Sequence, residues 1–229
     1  MVMEKLVLLG HNDGSIPIMM DLASEIYGCK KFDIVKNLDL PDSVYPANLY
    51  DAIHFLDAEY RFDLRDRLYV QFGVQGPNIK YQLYWHFFKN FGIRKNDYLD
   101  LRHSNSYFAS SAFAENGLVQ EPMTVISTMS KIGFGVTIKR SASVGHHAVL
   151  GDFVSINPGA ILSGNVTVGE GTEIGSGAVL SNNISVGKRC LIGAGSVVTR
   201  DIPDGMIAFG NPCKVVRENE KWAQIKIEE

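Results

Sequence analysis

The sequence predicts a two-part fold: a small βαβ domain over residues 1–110, then a parallel β-helix over residues 111–215 with a short tail, 216–229. Three observations predict it. Short apolar runs alternate with amphipathic stretches between residues 5 and 92. From residue 126 an aliphatic side chain recurs at every sixth position. That period of six fits neither the 3.6 of an amphipathic helix nor the 2 of a simple strand.

The first domain opens with "KLVLLG" (5–10), an apolar run ending in glycine that reads as a buried parallel strand. Residues 15–27, "SIPIMMDLASEIY", place Ile18, Leu22 and Ile26 at helical spacing, with Ser15 as the expected cap and Gly28 as the stop. "FDIVKN" (32–37) and "RLYVQFG" (67–73) read as further strands. "PNIKYQLYWHFFKNFG" (77–92) reads as a helix opened by proline and closed by glycine. Right-handed crossovers join such units. Residues 38–66 show no assignable element.

In the second part the aliphatic series runs Ile126, Ile132, Ile138, Val144, Leu150, Ile156, Leu162, Val168, Ile174, Leu180, Val186, Ile192 and Val198. Four residues after each stands a small or β-branched residue, such as Ala142, Ala148, Ala160 or Ala178. A parallel β-helix of hexapeptides produces this pattern, because each hexad is one short strand plus a corner and three hexads make a coil. Successive coils then lie one strand spacing apart, about 4.8 Å. After Val198, Pro203 and Pro212 break the repeat, and the tail "ENEKWAQIKIEE" is expected to cover the open end.

Composition narrows the partners. Hydrophobic residues make up 45% and charged residues 21% of the 229, and the formal net charge is −3, which gives no electrostatic case for nucleic acid or a membrane surface. The N-terminal apolar run is too short for a membrane span and a poor signal peptide. Cys29, Cys190 and Cys213 are scattered and odd in number, so neither a disulfide framework nor a zinc site is expected, and a cytoplasmic location with reduced thiols is.

Hexads closing in "VVTRDIPDGMIAFGNPCKVVR" (197–217) resemble the left-handed β-helix acyltransferases. With the βαβ domain in front, the chain is similar to the sugar-nucleotide N-acyltransferases, which acetylate amino sugars for bacterial glycan and O-antigen synthesis. The resemblance implies a Rossmann-like first domain, a left-handed coil and a homotrimer. It also implies acetyl-CoA in a groove between neighbouring β-helices, a nucleotide-linked amino sugar as acceptor, and no metal.

Residues 18 apart stack in one column, so His146 lies between Thr128 and Gly164, with Asn182 beyond. Glycine leaves room beside the imidazole. Ser176 and Ala194 share another column, each followed by glycine, and form a smooth strip suited to a pantetheine arm. The resemblance makes His146 the general base and Ser155, Ser176 and Ala194 cofactor contacts, with Gly164 beside them. Histidine suits the role because its ordinary pKa is near 6.5. Relatives carry an acid directly after the base; His147 stands there, beside the base and not itself catalytic. Ser155 stands where relatives often have histidine.

In the first domain, "GHNDGS" (10–15) and "FGVQGPN" (72–78) follow strands, and Asn12, Asp13, Gly14 and Gly73 are candidate substrate contacts. A phosphate would fit the helix N-terminus near Ser15. Lys36 and Asn37 replace the acids that relatives place after the second strand, which leaves the nucleotide open. His11, His54, His86 and His103 are dispersed, and His86 reads as packing.

Two other enzyme readings share the fold. An O-acyltransferase would use the same base on a hydroxyl. A hydratase of the γ-carbonic-anhydrase type needs three metal-binding histidines, whereas the repeats hold only His146 and His147. A non-catalytic binding protein is the remaining class, since fold alone does not give function.

Overall fold

In a computed structural model, which describes residues 3–46, 48–63 and 68–228, the two parts form as the periodicities require. The first is a parallel sheet of β1 (Lys5–Leu9), β2 (Lys31–Lys36), β3 (Asp51–Leu56) and β4 (Val70–Phe72), in the order β3-β2-β1-β4. Helices α1 (Ile16–Tyr27) and α2 (Pro77–Phe91) belong to separate apolar clusters. Leu6, Leu8, Phe32 and Ile34 pack with α1; Val7, Leu9, Val35 and Phe72 pack with α2.

Helix α1 ends at Gly28, whose φ of 66° is the left-handed cap expected of glycine. Its start differs from expectation. Ser15 makes no capping bond; its hydroxyl donates to Asn12 Oδ1 at 2.9 Å. Strand β3 is the element the sequence concealed. It lies at the sheet edge with all its residues exposed or half-buried, so "DAIHFL" carries no buried apolar run. The expected strand 67–73 is β4, and its first residue, 67, lies outside the described residues.

The second part is a prism with three parallel faces. Partners across each ladder are 18 apart: Thr137 pairs Ser155, Ser143 pairs Ile161, and Lys131 pairs Val149. The aliphatic series and the small residues four positions on fill one buried cluster. Every corner from Gly117 to Gly195 turns through a left-handed residue. Ser141, His147, Phe153, Gly159 and Asn165, six apart in sequence, have φ between 56° and 69°.

The coil begins earlier than the boundary at 111, because Leu101–Arg102 already pairs with Val119–Gln120. The aliphatic rule conceals this first coil. Extending the hexads back from Ile126 gives Gln120, Ala114, Phe108 and Arg102. Gln120 is fully buried and donates to the Tyr107 carbonyl at 3.0 Å, and the Arg102 guanidinium stacks 4.3 Å above the Phe108 ring. Polar groups therefore close this end of the prism.

At the other end, the hairpin Met206–Gly210 with Cys213–Glu218 extends the face of Leu191–Ile192 and covers the last coil. The tail does not cap that end, contrary to expectation. Trp222 packs on Gly171, where a Cβ would lie 2.5 Å from its ring, and edge-on to Tyr81 of α2. Glu228 then pairs with Lys89 at 2.6 Å, so the tail fastens the coil to α2.

One prism face carries the first domain. Its outward residues Leu101, Val119, Thr137 and Ser155 are all at most 1% exposed. The aromatic rings of Phe72, Tyr84 and Tyr98 meet Phe134 and Phe153 from two prism corners. Within this interface Lys80, 1% exposed, donates to the Gly135 carbonyl at 2.9 Å and to the Thr137 hydroxyl.

No carboxylate pairs with Lys80 among the described residues, and its pKa falls to about 7, first through burial and then through Lys139. The unfolded chain therefore holds this proton over a window, from about 7 to about 10, in which the folded chain has released it. Stability rises with pH there, by up to ~1.4 kcal/mol per unit. In urea denaturation, Lys80→Met is expected to flatten the slope of stability against pH above about 7. An unchanged slope would assign it to other groups.

Candidate active site

His146 and His147 occupy the corner where the chain leaves the strand Ser143–Val144 for Val149–Leu150. The ladder places them. His147 N–H donates to the Thr128 carbonyl at 2.9 Å, and Asn165 N–H donates to the His146 carbonyl at 2.9 Å. The column expectation holds at atomic detail. A Cβ on Gly164 would lie 2.4 Å from both Cε1 and Nε2 of His146, so the imidazole rests on the space that glycine leaves. The Gly164 amide is satisfied by Asn182 Oδ1 at 2.9 Å, one coil on.

His146 Nδ1 and His147 Nδ1 lie 3.1 Å apart, and both rings are exposed. One nitrogen must donate and the other accept. When His146 Nδ1 carries the hydrogen, its Nε2 keeps a free lone pair over Gly164, the state a base requires. In that state His147 Nδ1 is the acceptor of the His146 hydrogen. Its backbone, at φ 56°, is the left-handed corner that Asn165 and Asn183 fill in the next coils.

Ser176 and Ala194 stand at a different corner, where the chain leaves the domain-bearing face. Both are exposed, and beside them Gly177 and Gly195 have open space where a Cβ would point. Among the described residues, the amide N–H groups of Ser176 and Ala194 have no protein acceptor, which suits an extended amide-containing ligand. Between this corner and that of His146 lies a whole prism face. Within one chain the two do not share a groove.

Ser155 is with neither. It lies between Thr137 and Glu173 on the domain-bearing face, 1% exposed, with no hydrogen-bond partner for its hydroxyl among the described residues.

In the first domain a cavity of about 390 Å³ opens at the ends of β1, β2 and β4. Gly10, Asn12, Ser15, Lys36, Gln75 and Gly76 line it. Asn12 Oδ1 accepts from Gly14 N–H at 3.2 Å, holding the turn that leads into α1. Asp13 turns away toward His11, at 3.5 Å, and the Ser43 hydroxyl. Gly73 is not in the cavity wall. A Cβ there would meet the Gly10 carbonyl oxygen at 2.3 Å, so its glycine is required for close passage of β1 past β4. His86 pairs with Asp57 at 2.6 Å on α2, away from the cavity lining. Among the described residues, no group of three or more His, Cys, Asp or Glu side chains is placed to hold a metal ion, and no helix is long and apolar enough to cross a membrane.

Residues 165–200 match the family model for bacterial transferase hexapeptide (six repeats). No curated protein sequence matches the chain. Among solved structures, the acetyltransferase domain of PglB from Neisseria gonorrhoeae FA1090, in complex with acetyl coenzyme A, is similar at 28% identity over 93% of this chain and 99% of that one, with a TM-score of 0.76. WeeI from Acinetobacter baumannii AYE is similar at 22% identity over 94% and 100%, TM-score 0.74. PerB from Caulobacter crescentus, in complex with CoA and GDP-perosamine, is similar at 20% identity over 94% and 98%, TM-score 0.73. The last two speak for the fold.

The hexad coil and the hexapeptide match define the class of the second part as a hexapeptide-repeat β-helix, the fold that the PglB acetyltransferase domain shares. With its Rossmann-like first domain, the chain is similar along nearly its whole length to the PglB acetyltransferase domain.

If His147 orients His146, His147→Asn is expected to lower acetyl transfer about tenfold with the KM for acetyl-CoA unchanged. Asparagine already fills that corner in neighbouring coils, so the melting temperature should stay within a few degrees (roughly 1 kcal/mol or less). Wild-type turnover would leave His147 a surface residue.

Proposed function

We propose that the protein transfers the acetyl group of acetyl-CoA to the amino group of a nucleotide-linked amino sugar. The observation that carries this is the His146 imidazole seated over Gly164, beside a coil whose next corner bears a strip of small residues. The similar PglB domain was solved with acetyl coenzyme A, and PerB, of the same fold, with CoA and GDP-perosamine. In bacteria such a product would serve glycan or O-antigen assembly in the cytoplasm.

The chemistry follows from the groups present. The acceptor amine attacks the thioester carbonyl while His146 Nε2 takes its proton. The tetrahedral intermediate then collapses, the C–S bond breaks, and the thiolate of CoA leaves and recovers a proton. A general base contributes about 10²- to 10⁴-fold. Gly164, Ser176 and Ala194 would flank the cofactor, with exposed amides at the strip as hydrogen-bond donors for it. Asn12 and Gly14 would shape the turn that receives the nucleotide.

The active unit is a homotrimer in this reading. The face between the two corners exposes a stripe in register, Tyr107, Val125, Ser143, Ile161, Val179 and Val197, apolar at all but one position. Tyr107, Val125 and Ile161 are 56%, 37% and 46% exposed in the single chain. Packing this stripe against a second copy brings the His146 corner of one chain to the Ser176–Ala194 strip of the next. Three copies close the arrangement.

His146→Ala is expected to lower acetyl transfer at least about 100-fold with the fold retained, as followed by product mass and circular dichroism. Near-wild-type turnover would remove His146 from this role, and transfer to a hydroxyl alone would make the protein an O-acyltransferase. Ile161→Lys is expected to yield a smaller species in sedimentation and to abolish transfer. A monomer with full activity would overturn a site shared between copies.

A further inference from the structure

The cavity of the first domain has one wall residue from the β-helix, and it is Lys139. This lysine follows the strand Thr137–Ile138 at the corner facing that domain. One coil further on, the same column position is Asn157, and the next is Gly175, adjacent to Ser176. Lys139 therefore stands where the cavity meets the column leading to the Ser176–Ala194 strip.

The charges around this point are unbalanced. Lys36, the other lysine in the wall, is neutralised: its ammonium donates to Asp42 Oδ1 at 2.5 Å and to the Leu40 carbonyl at 2.6 Å. The Lys139 ammonium donates to Asn157 Oδ1 at 2.7 Å, a neutral amide. That amide in turn donates to Glu173 at 2.9 Å, so it stands between the lysine and the nearest carboxylate. Burial lowers the pKa of Lys139, opposed by Glu173 and Glu121 acting at a distance and reinforced by Arg140. An ammonium has three donors, and only one is engaged within the protein among the described residues.

We propose that Lys139 binds an oxyanion of the acceptor at the junction of the two domains, a phosphate of the nucleoside diphosphate or a carboxylate on the sugar. This rests on the nucleotide-sugar reading above. An anion there would complete the coordination of a half-buried cation through charge-assisted hydrogen bonds. It would also hold the acceptor with its nucleoside in the first-domain cavity and its sugar toward the strip. Lysine, a flexible point charge, accepts either oxyanion geometry.

Calorimetric titration of wild type, Lys139→Gln and Lys139→Arg tests this. The probes are UDP, GDP and dTDP, the corresponding nucleosides, and UDP-glucose beside UDP-glucuronate. Loss of about ten- to a hundredfold in nucleoside diphosphate affinity in the glutamine variant, with arginine retaining it and nucleoside affinity unchanged, assigns a phosphate. Loss on UDP-glucuronate alone assigns a carboxylate. Wild-type affinity of the glutamine variant for every probe overturns the proposal and leaves the nucleotide-sugar reading intact. Failure of wild type to bind any nucleotide, while acetyl-CoA still binds, overturns both.

Discussion

Each side chain in the candidate site is positioned by the backbone ladder that ties a residue to the one 18 further along. A coil cannot slip by one residue without turning its aliphatic row outward and its polar row into the core. Thirteen aliphatic positions in phase make that cost cumulative, so the register is rigid. The left-handed residue at each corner from Gly117 to Gly195 follows from the same constraint, and it recurs whether the corner carries glycine, asparagine or His147. A histidine on such a frame needs little further support to point in one direction. The space over Gly164 and the bond to His147 supply what remains.

The period explains why so much of the site could be read before any coordinates. Column arithmetic sets His146 beside Gly164 and Ser176 beside Ala194, and both pairings depend only on an unbroken hexad count. What the count omits is the identity of each face. Nothing in a hexad says which side of the prism will be covered, so Ser155 read as a ligand contact although it lies beneath the first domain. Lys139 was passed over for the same reason, being one polar corner residue among many until the cavity is seen to end on it. Gly73 failed differently: a glycine after a strand signals close approach, but the approaching group is the Gly10 carbonyl. The first coil escaped because its core is made of Arg102, Phe108 and Gln120, which break the aliphatic rule at the end where the prism must meet solvent.

The two domains are joined more firmly than a flexible linker would allow. Rings from β4, α2, Tyr98 and two prism corners form one cluster, and Trp222 of the tail closes over it from the far end of the chain. Large aromatic contacts of this kind carry much buried area and fix relative orientation. Lys80 inside the cluster bonds to a carbonyl and a hydroxyl and to no carboxylate among the described residues, an arrangement that costs stability when charged. Its bonds to the Gly135 carbonyl and the Thr137 hydroxyl nevertheless tie α2 to this one coil.

That fixed docking determines what the cavity can do. The first domain alone offers a glycine turn, a helix N-terminus and a lysine already paired with Asp42, which is ordinary equipment for receiving a nucleotide and says nothing of transfer. Held against the coil, the same cavity ends on Lys139, and the next positions along that column lead to the strip of small residues. His146 lies across an apolar face from that strip, and a face of Val125, Ile161 and Val179 is costly to leave in water. In the proposed homotrimer, the hydrophobic term that would drive copies together would also complete the chemistry. A single chain holds the parts of the proposed site on opposite edges of one face, and in the proposed homotrimer burying that face would bring them within reach of one another.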